Sequence, residues 1–218
     1  MEDLNIWQQL IYYFTHNGQY ILNEFLRHFL ISIYGVLIAA IVGIPIGIYI
    51  SRHGKLGKWV IGIANVIQTI PSLALISIMM LGMGLGVNTV IWTVFLYSLL
   101  PIIKNTDTGM RNVDPDLLDV GKGMGMTKLQ RLLQIEIPLS ISVIMAGLRS
   151  ALVLAIGITA IGSFVGAGGL GDLIIRGTNA TNGGAIILAG ALPTALMAII
   201  SDGVLGFLEK RFSAHVHQ

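Results

Sequence analysis

Few residues in this 218-residue chain are of types that carry out chemistry, and their surroundings decide which chemistry is available. Arg149 stands about three turns into an apolar run that begins at Pro138. A charge at that depth must face protein, snorkel, or find a counter-ion, because hydrocarbon does not solvate it. Asp202, near the end of the last apolar run, is its candidate partner. The two read as a structural ion pair, a gating element or, third, a direct solute contact. Gln68, Thr69 and Ser72 surround Pro71 within another apolar run. The proline removes a helix hydrogen bond, and the polar neighbours either satisfy the freed backbone or line a polar path. Gly166, Gly168 and Gly171 spell G-x-G-x-x-G. As a dinucleotide fingerprint it would need a preceding strand and a βαβ unit. Here it follows an apolar helical run, so it reads as irregular backbone packed in a bundle or lining its vestibule. His215 and His217 form a two-histidine metal candidate or, more simply, a solvated tail. There is no cysteine, which excludes disulfides and thiol chemistry. No acid–base pair, nucleophile triad, metal cluster or Walker A sequence stands out, so no catalytic residue is assigned.

The elements that must position these residues are membrane helices. Hydrophobic residues make up 54% of the chain and charged ones only 11%, with a mean hydropathy of +0.80. A soluble domain carries roughly 25% charged residues. A net charge of +2 argues against nucleic acid as a partner. No basic stretch followed by an apolar core opens the chain, so no cleaved signal peptide is expected. A spanning helix needs about 20 apolar residues. The apolar runs predict about five spans, at roughly 28–50, 58–81 (interrupted by Pro71), 88–103, 138–162 and 184–207. Residues 5–20 place Trp7, Leu10, Ile11 and Phe14 at helical spacing and predict a separate interfacial helix. The expected organisation is an N-terminal interfacial helix in 1–22, a membrane domain in 23–207 and a short tail in 208–218. Gly43 and Gly47 form a G-x-x-x-G packing motif.

Lysine and arginine orient this bundle. Of 13 basic residues, ten fall on one predicted side: Arg52, Lys55, Lys58, Lys104, Arg111, Lys122, Lys128, Arg131, Lys210 and Arg211. Only Arg27 and Arg176 fall on the other, and Arg149 lies within a span. The basic side is therefore expected in the cytoplasm, with the N-terminus outside and the C-terminus inside.

The longest polar stretch lies on the basic side. Asp114 and Pro115 are a helix start, and Leu117, Leu118 and Val120 follow. Gly121, Gly123 and Gly125 weaken the helix and permit a turn. Thr127 with Gln130 makes a capping-box pattern, and Leu129, Leu132 and Leu133 form an apolar stripe. Two short helices at a glycine hinge are predicted. Such a unit lays its apolar face into a groove on a partner or rests on lipid headgroups.

Within this stretch Asp119, Val120 and Gly121 are followed by Gly125, then by Ile135, Ile137 and Pro138. That spacing resembles the cytoplasmic coupling signature of ABC importer permeases, E-A-A-x3-G-x9-I-x-L-P. Asp119 stands in place of the usual glutamate and Gly121 in place of the second alanine. Residues 68–74 (QTIPSLA) and 163–171 (SFVGAGGLG) resemble segments of the osmoprotectant branch, which carries glycine betaine, carnitine and choline. The resemblance covers about residues 20–210. It implies an all-α type I ABC importer permease in the bacterial plasma membrane, with Asp119, Gly121, Gly125, Leu129, Leu132, Ile135 and Pro138 contacting an ATPase. It implies a translocation path that includes Gln68, Thr69, Pro71, Ser72 and Arg149. The implied partners are ABC ATPase subunits that hold ATP and Mg, a second permease (homologous or identical) and a separate extracellular binding protein. The chain itself is then a transporter subunit without cofactor or metal. An amino-acid permease of the same fold, a secondary transporter and a membrane scaffold are the competing readings.

Overall fold

The computed structural model describes the backbone of residues 5–214 and the side chains through Arg211; His215 and His217 lie outside the described residues. Among the described residues nine α-helices follow one another: α1 (Ile6–Ser51), α2 (Gly54–Thr69), α3 (Ser72–Met83), α4 (Val87–Arg111), α5 (Pro115–Gly123), α6 (Lys128–Arg131), α7 (Ile137–Gly162), α8 (Leu170–Thr178) and α9 (Gly184–Ala214). A π-helical turn, Leu132–Glu136, joins α6 to α7.

Close glycine contacts fix how the long helices run. Gly35, Gly43 and Gly47 of α1 face Val94, Ile102 and Thr106 of α4. The numbers rise together, so the two helices are parallel. A Cβ at Gly35 would lie 2.4 Å from Val94 Cγ1, and one at Gly47 would lie 2.5 Å from Thr106 Cβ. Small residues are therefore required for the backbones to approach this closely. Between α4 and α7 the order reverses, with Gly109 against Ser140, Gly147 against Asn105 and Gly162 against Val90. Because α1 and α4 are parallel, α2 and α3 together return the chain across the bundle. With α1, α4, α7 and α9 this gives five crossings, as the apolar runs predict. Val90, Val94, Ile102, Ala151, Ala155 and Ile156 are buried at the centre.

The two ends of the bundle differ in chemistry. At the basic end Arg52 Nη2 donates to both carboxylate oxygens of Glu136 at 2.9 Å. There too Arg111 donates to the Ile50 carbonyl at 3.1 Å and pairs with Asp107 at 2.9 Å. At the glycine-rich end the Gly86 N–H donates to the Val165 carbonyl at 2.8 Å.

The N-terminal helix meets the first span at a kink: Asn17 (φ −119°, ψ 16°) stands outside helical geometry within the 46-residue α1. Leu10 and Ile21, on either side of that kink, join the core cluster. Other sequence expectations need correction. The third span does not end at 103, because α4 continues to Arg111 with Thr106 and Asp107 buried. The last helix runs on past 207 to Ala214, so the start of the tail is helical. The Pro71 interruption is no mild kink: α2 and α3 meet at 98°. The ring crowds the preceding residue into extended backbone, and Ile70 sits at φ −68°, ψ 129°.

Candidate functional site

The polar segment at the basic end folds as its residue types dictate. Asp114 accepts from the Asp116 N–H at 2.9 Å and Pro115 takes the first helical position. The helix ends in a Schellman turn: Met126 N–H donates to the Gly121 carbonyl at 3.0 Å and Gly125 N–H to Lys122 at 2.9 Å. Gly125 has φ +78°, the left-handed conformation this turn requires. Thr127 and Gln130 then form a reciprocal box, at 2.8 Å and 3.3 Å. The outcome is a knuckle of two helices, α5 and α6.

The two helices of the knuckle approach closely at Gly121. A Cβ on Gly121 would lie 2.9 Å from Ile135 Cδ1 and 3.3 Å from Met126 Sδ. An alanine would displace only the flexible tip of Ile135, whereas a larger side chain would part the helices. Asp119 is exposed and accepts from Lys122 Nζ at 2.5 Å. That bond to the ammonium holds its carboxyl below the usual aspartate range. The apolar stripe points away from the bundle: Met124 is 78% exposed, Leu129 63% and Leu133 55%. Leu132 and Ile135 are half-buried.

The second helix of the knuckle is short, as predicted, but not free-standing. From Lys128 the helical path runs unbroken through the π turn into α7 and on to Val165. The wide turn sits directly before Pro138, whose ring would otherwise clash with the carbonyl four residues back. Leu129 and Arg149 thus ride on one rod. The Arg52–Glu136 bond ties its bend to the end of α1.

Gln68, Thr69, Pro71 and Ser72 come together at the α2–α3 break. Pro101 of α4 cannot donate to Tyr97, and the Gln68 side-chain amide donates to that freed Tyr97 carbonyl at 3.4 Å. The Tyr97 hydroxyl in turn donates to the carbonyl of Ile70, at the break itself. Gln68 therefore anchors the break onto α4. The Thr69 hydroxyl donates back to Val66 at 2.7 Å, and Thr69 and Pro71 remain exposed.

Arg149 makes its bonds on α9, not at the break. It donates to Asp202 at 3.0 and 2.9 Å and to Glu209 at 2.7 Å. Glu209, a second acid two turns further along α9, was not anticipated from sequence. The cluster carries one cation and two carboxylates, and its Arg149 and Asp202 line a lateral hollow of about 460 Å3 with Ala146, Ser150 and Val153. Arg149→Asp or Asp202→Arg alone is expected to reduce the amount of folded protein in the membrane. The charge-swapped double variant should recover part of it, as measured by size-exclusion chromatography of extracted protein.

Sequence reasoning missed His28. It is fully buried; its Nε2 donates to the Ile156 carbonyl at 2.9 Å and its Nδ1 accepts from the Leu170 N–H at 3.2 Å. Beside it the Glu24 carboxylate accepts from the Gly169 N–H. The G-x-G-x-x-G segment is thus a turn pinned onto α1, with Ala167 and Leu170 buried. Among the described residues no cluster of three or more His, Cys, Asp or Glu could hold a metal ion.

A bundle of long apolar helices, with a basic-end knuckle leading into one of them, is that of a multi-pass membrane protein. The family described as "binding-protein-dependent transport system inner membrane component" matches residues 35–214, and the chain belongs to it. Over 210 residues the chain is 64% identical to the glycine betaine/carnitine/choline transport system permease protein OpuCD of Bacillus subtilis (strain 168), covering 96% of this chain and 92% of that one. It is 65% identical over 203 residues to the carnitine transport permease protein OpuCD of Listeria monocytogenes serotype 1/2a (strain 10403S), covering 93% and 91%. A more distant likeness, 40% over 203 residues and 93% of each chain, is to OpuCB of Bacillus subtilis (strain 168), described as a permease protein of a glycine betaine/carnitine/choline system too. Among solved structures, a chain of the MetNI methionine ABC transporter superimposes with a TM-score of 0.75 at 19% identity, over 88% of this chain and 96% of that one. The fold is that of the type I ABC importer permeases.

Proposed function

We propose that this chain is the permease subunit of an ATP-driven importer for compatible solutes of the glycine betaine, carnitine and choline type. The observation that carries the reading is the knuckle: exposed leucines at the basic end of the bundle, continuous through a π turn with a spanning helix. An apolar face of that kind suits a groove on a partner. The partner is an ABC ATPase that holds ATP and Mg. Asp119, Gly121, Gly125, Leu129, Leu132, Ile135 and Pro138 shape or present the contact. The basic end lies in the cytoplasm of a bacterial cell, and the N-terminus is outside. A separate extracellular binding protein delivers the solute.

The second permease is a homologue, not a copy of this chain. Two different relatives, OpuCD and OpuCB, bear one system description in one organism, which supports a mixed pair. The path runs between the two permeases, beside the α2–α3 break with Gln68, Thr69, Pro71 and Ser72 and the hollow at Arg149. Pro71→Ala should leave assembly intact and lower uptake, because a relaxed break re-aims Thr69 and Ser72.

The deciding experiment is uptake into vesicles that hold the complete complex. Radiolabelled glycine betaine, carnitine or choline should accumulate only with ATP inside the ATPase-facing compartment and with the binding protein on the other side. Uptake driven by an ion gradient alone would overturn the proposal, and accumulation of amino acids but none of these solutes would replace the substrate class.

A further inference from the structure

A cavity of about 390 Å3 lies where the knuckle meets the ends of the spanning helices. Ser51, Arg52 and Met110 reach it from α1 and α4, and Lys122, Lys128 and Arg131 from the knuckle and its return. Two of these four cations are already neutralised, Arg52 by Glu136 at 2.9 Å and Lys122 by Asp119 at 2.5 Å. The side chains of Lys128 and Arg131 have no hydrogen-bond or ion-pair partner among the described residues, and Arg131 senses Asp119 only through space. The cavity therefore holds an excess of two positive charges that the chain itself leaves unanswered.

Its height in the bundle is set by its neighbours. Ser51 and Arg52 follow directly on the apolar run of α1, and Met110 belongs to the last turn of α4. The end of the α1 apolar run is where hydrocarbon is expected to give way to headgroups. A guanidinium fork and an ammonium facing one small space match the oxygens of a phosphate. Basic pockets between spanning helices on this side of a membrane suit anionic headgroups.

We propose that this cavity binds the phosphate of an anionic phospholipid headgroup, held by Lys128 and Arg131, and that the bound lipid braces the knuckle against the ends of α1 and α4. The site does not depend on which solute the chain carries. The same phosphate chemistry could be supplied by a soluble phosphate, so the test must separate the two sources.

The complete importer, with wild-type or K128Q/R131Q permease, is placed in phosphatidylcholine nanodiscs containing graded phosphatidylglycerol. Retained lipid is then counted by native mass spectrometry. The wild-type complex should retain phosphatidylglycerol with an apparent affinity about tenfold or more above that of the double variant. The charge-keeping pair Lys128→Arg with Arg131→Lys should retain it. Equal retention by wild type and double variant overturns the proposal. Loss of the ATPase with unchanged lipid retention also overturns it, because the two cations would then serve a protein contact. Displacement of phosphatidylglycerol by millimolar inorganic phosphate would assign the site to a soluble anion and sink the lipid assignment. Should the double variant fail to assemble, Lys128→Gln alone, on an exposed and unbonded side chain, must shift retention in the same direction.

Discussion

Replacing His28 with phenylalanine should destabilise the purified protein by about 1–3 kcal/mol, because the buried Leu170 N–H would lose its acceptor and the Ile156 carbonyl its second donor. The Ile156 carbonyl and the Leu170 N–H each bond to one ring nitrogen. The latter is a first-turn donor of α8 with no acceptor inside its own helix. The phenyl ring roughly fills the imidazole space, so the loss is polar satisfaction more than packing. Glutamine, which carries both a donor and an acceptor, should recover part of the difference. Thermal unfolding in detergent, followed by intrinsic fluorescence or protease susceptibility, measures it. The proteolytic cut should appear first near residues 166–169, where the pinned turn is released. A variant as stable as wild type would show that His28 does not tie α1, α7 and α8 together.

Leu129→Asp should have the opposite signature, with normal stability and lost coupling. Leu129 is 63% exposed and lies outside the core, so a carboxylate there costs the isolated chain little. Against an apolar groove it forfeits about 1.5–3 kcal/mol of side-chain burial and adds a desolvated charge. ATPase association should weaken by at least about tenfold. Co-purification of the ATPase with the variant permease reads this directly, and uptake should fall in parallel. Retained association with normal uptake would remove Leu129 from the contact surface.

The sequence carried those features whose cause is local. The five crossings follow from run lengths alone, and the caps at Asp114 and Thr127 follow from the side chains that form them. The pairing of Arg149 with Asp202 follows from matching depth in two spans, since an isolated charge in a bilayer needs a partner. Glu209 escaped notice because it lies near the end of the apolar run, where a carboxylate looks solvated. His28 escaped for a related reason: it stands at the edge of a predicted span, and both of its partners are more than 120 residues away. Hydropathy gives no information on partners at that distance. Pro71 announced a break, but its 98° angle is held by Tyr97 and Gln68, which no local pattern connects. The kink at Asn17 follows from the polar stretch 15–19 that interrupts the apolar pattern, whereas the packing of Leu10 into the core cluster has no local cause.

The π turn before Pro138 has a consequence for descent. It holds one residue more than a regular helix needs between Leu129 and Arg149, and that extra residue gives the proline ring its room. A lineage that deleted a residue from 132–136 while keeping the proline would inherit a clash. One that replaced the proline but kept the insertion would carry a bulge with nothing to relieve. The two traits should therefore be gained and lost together, like a bolt and its washer.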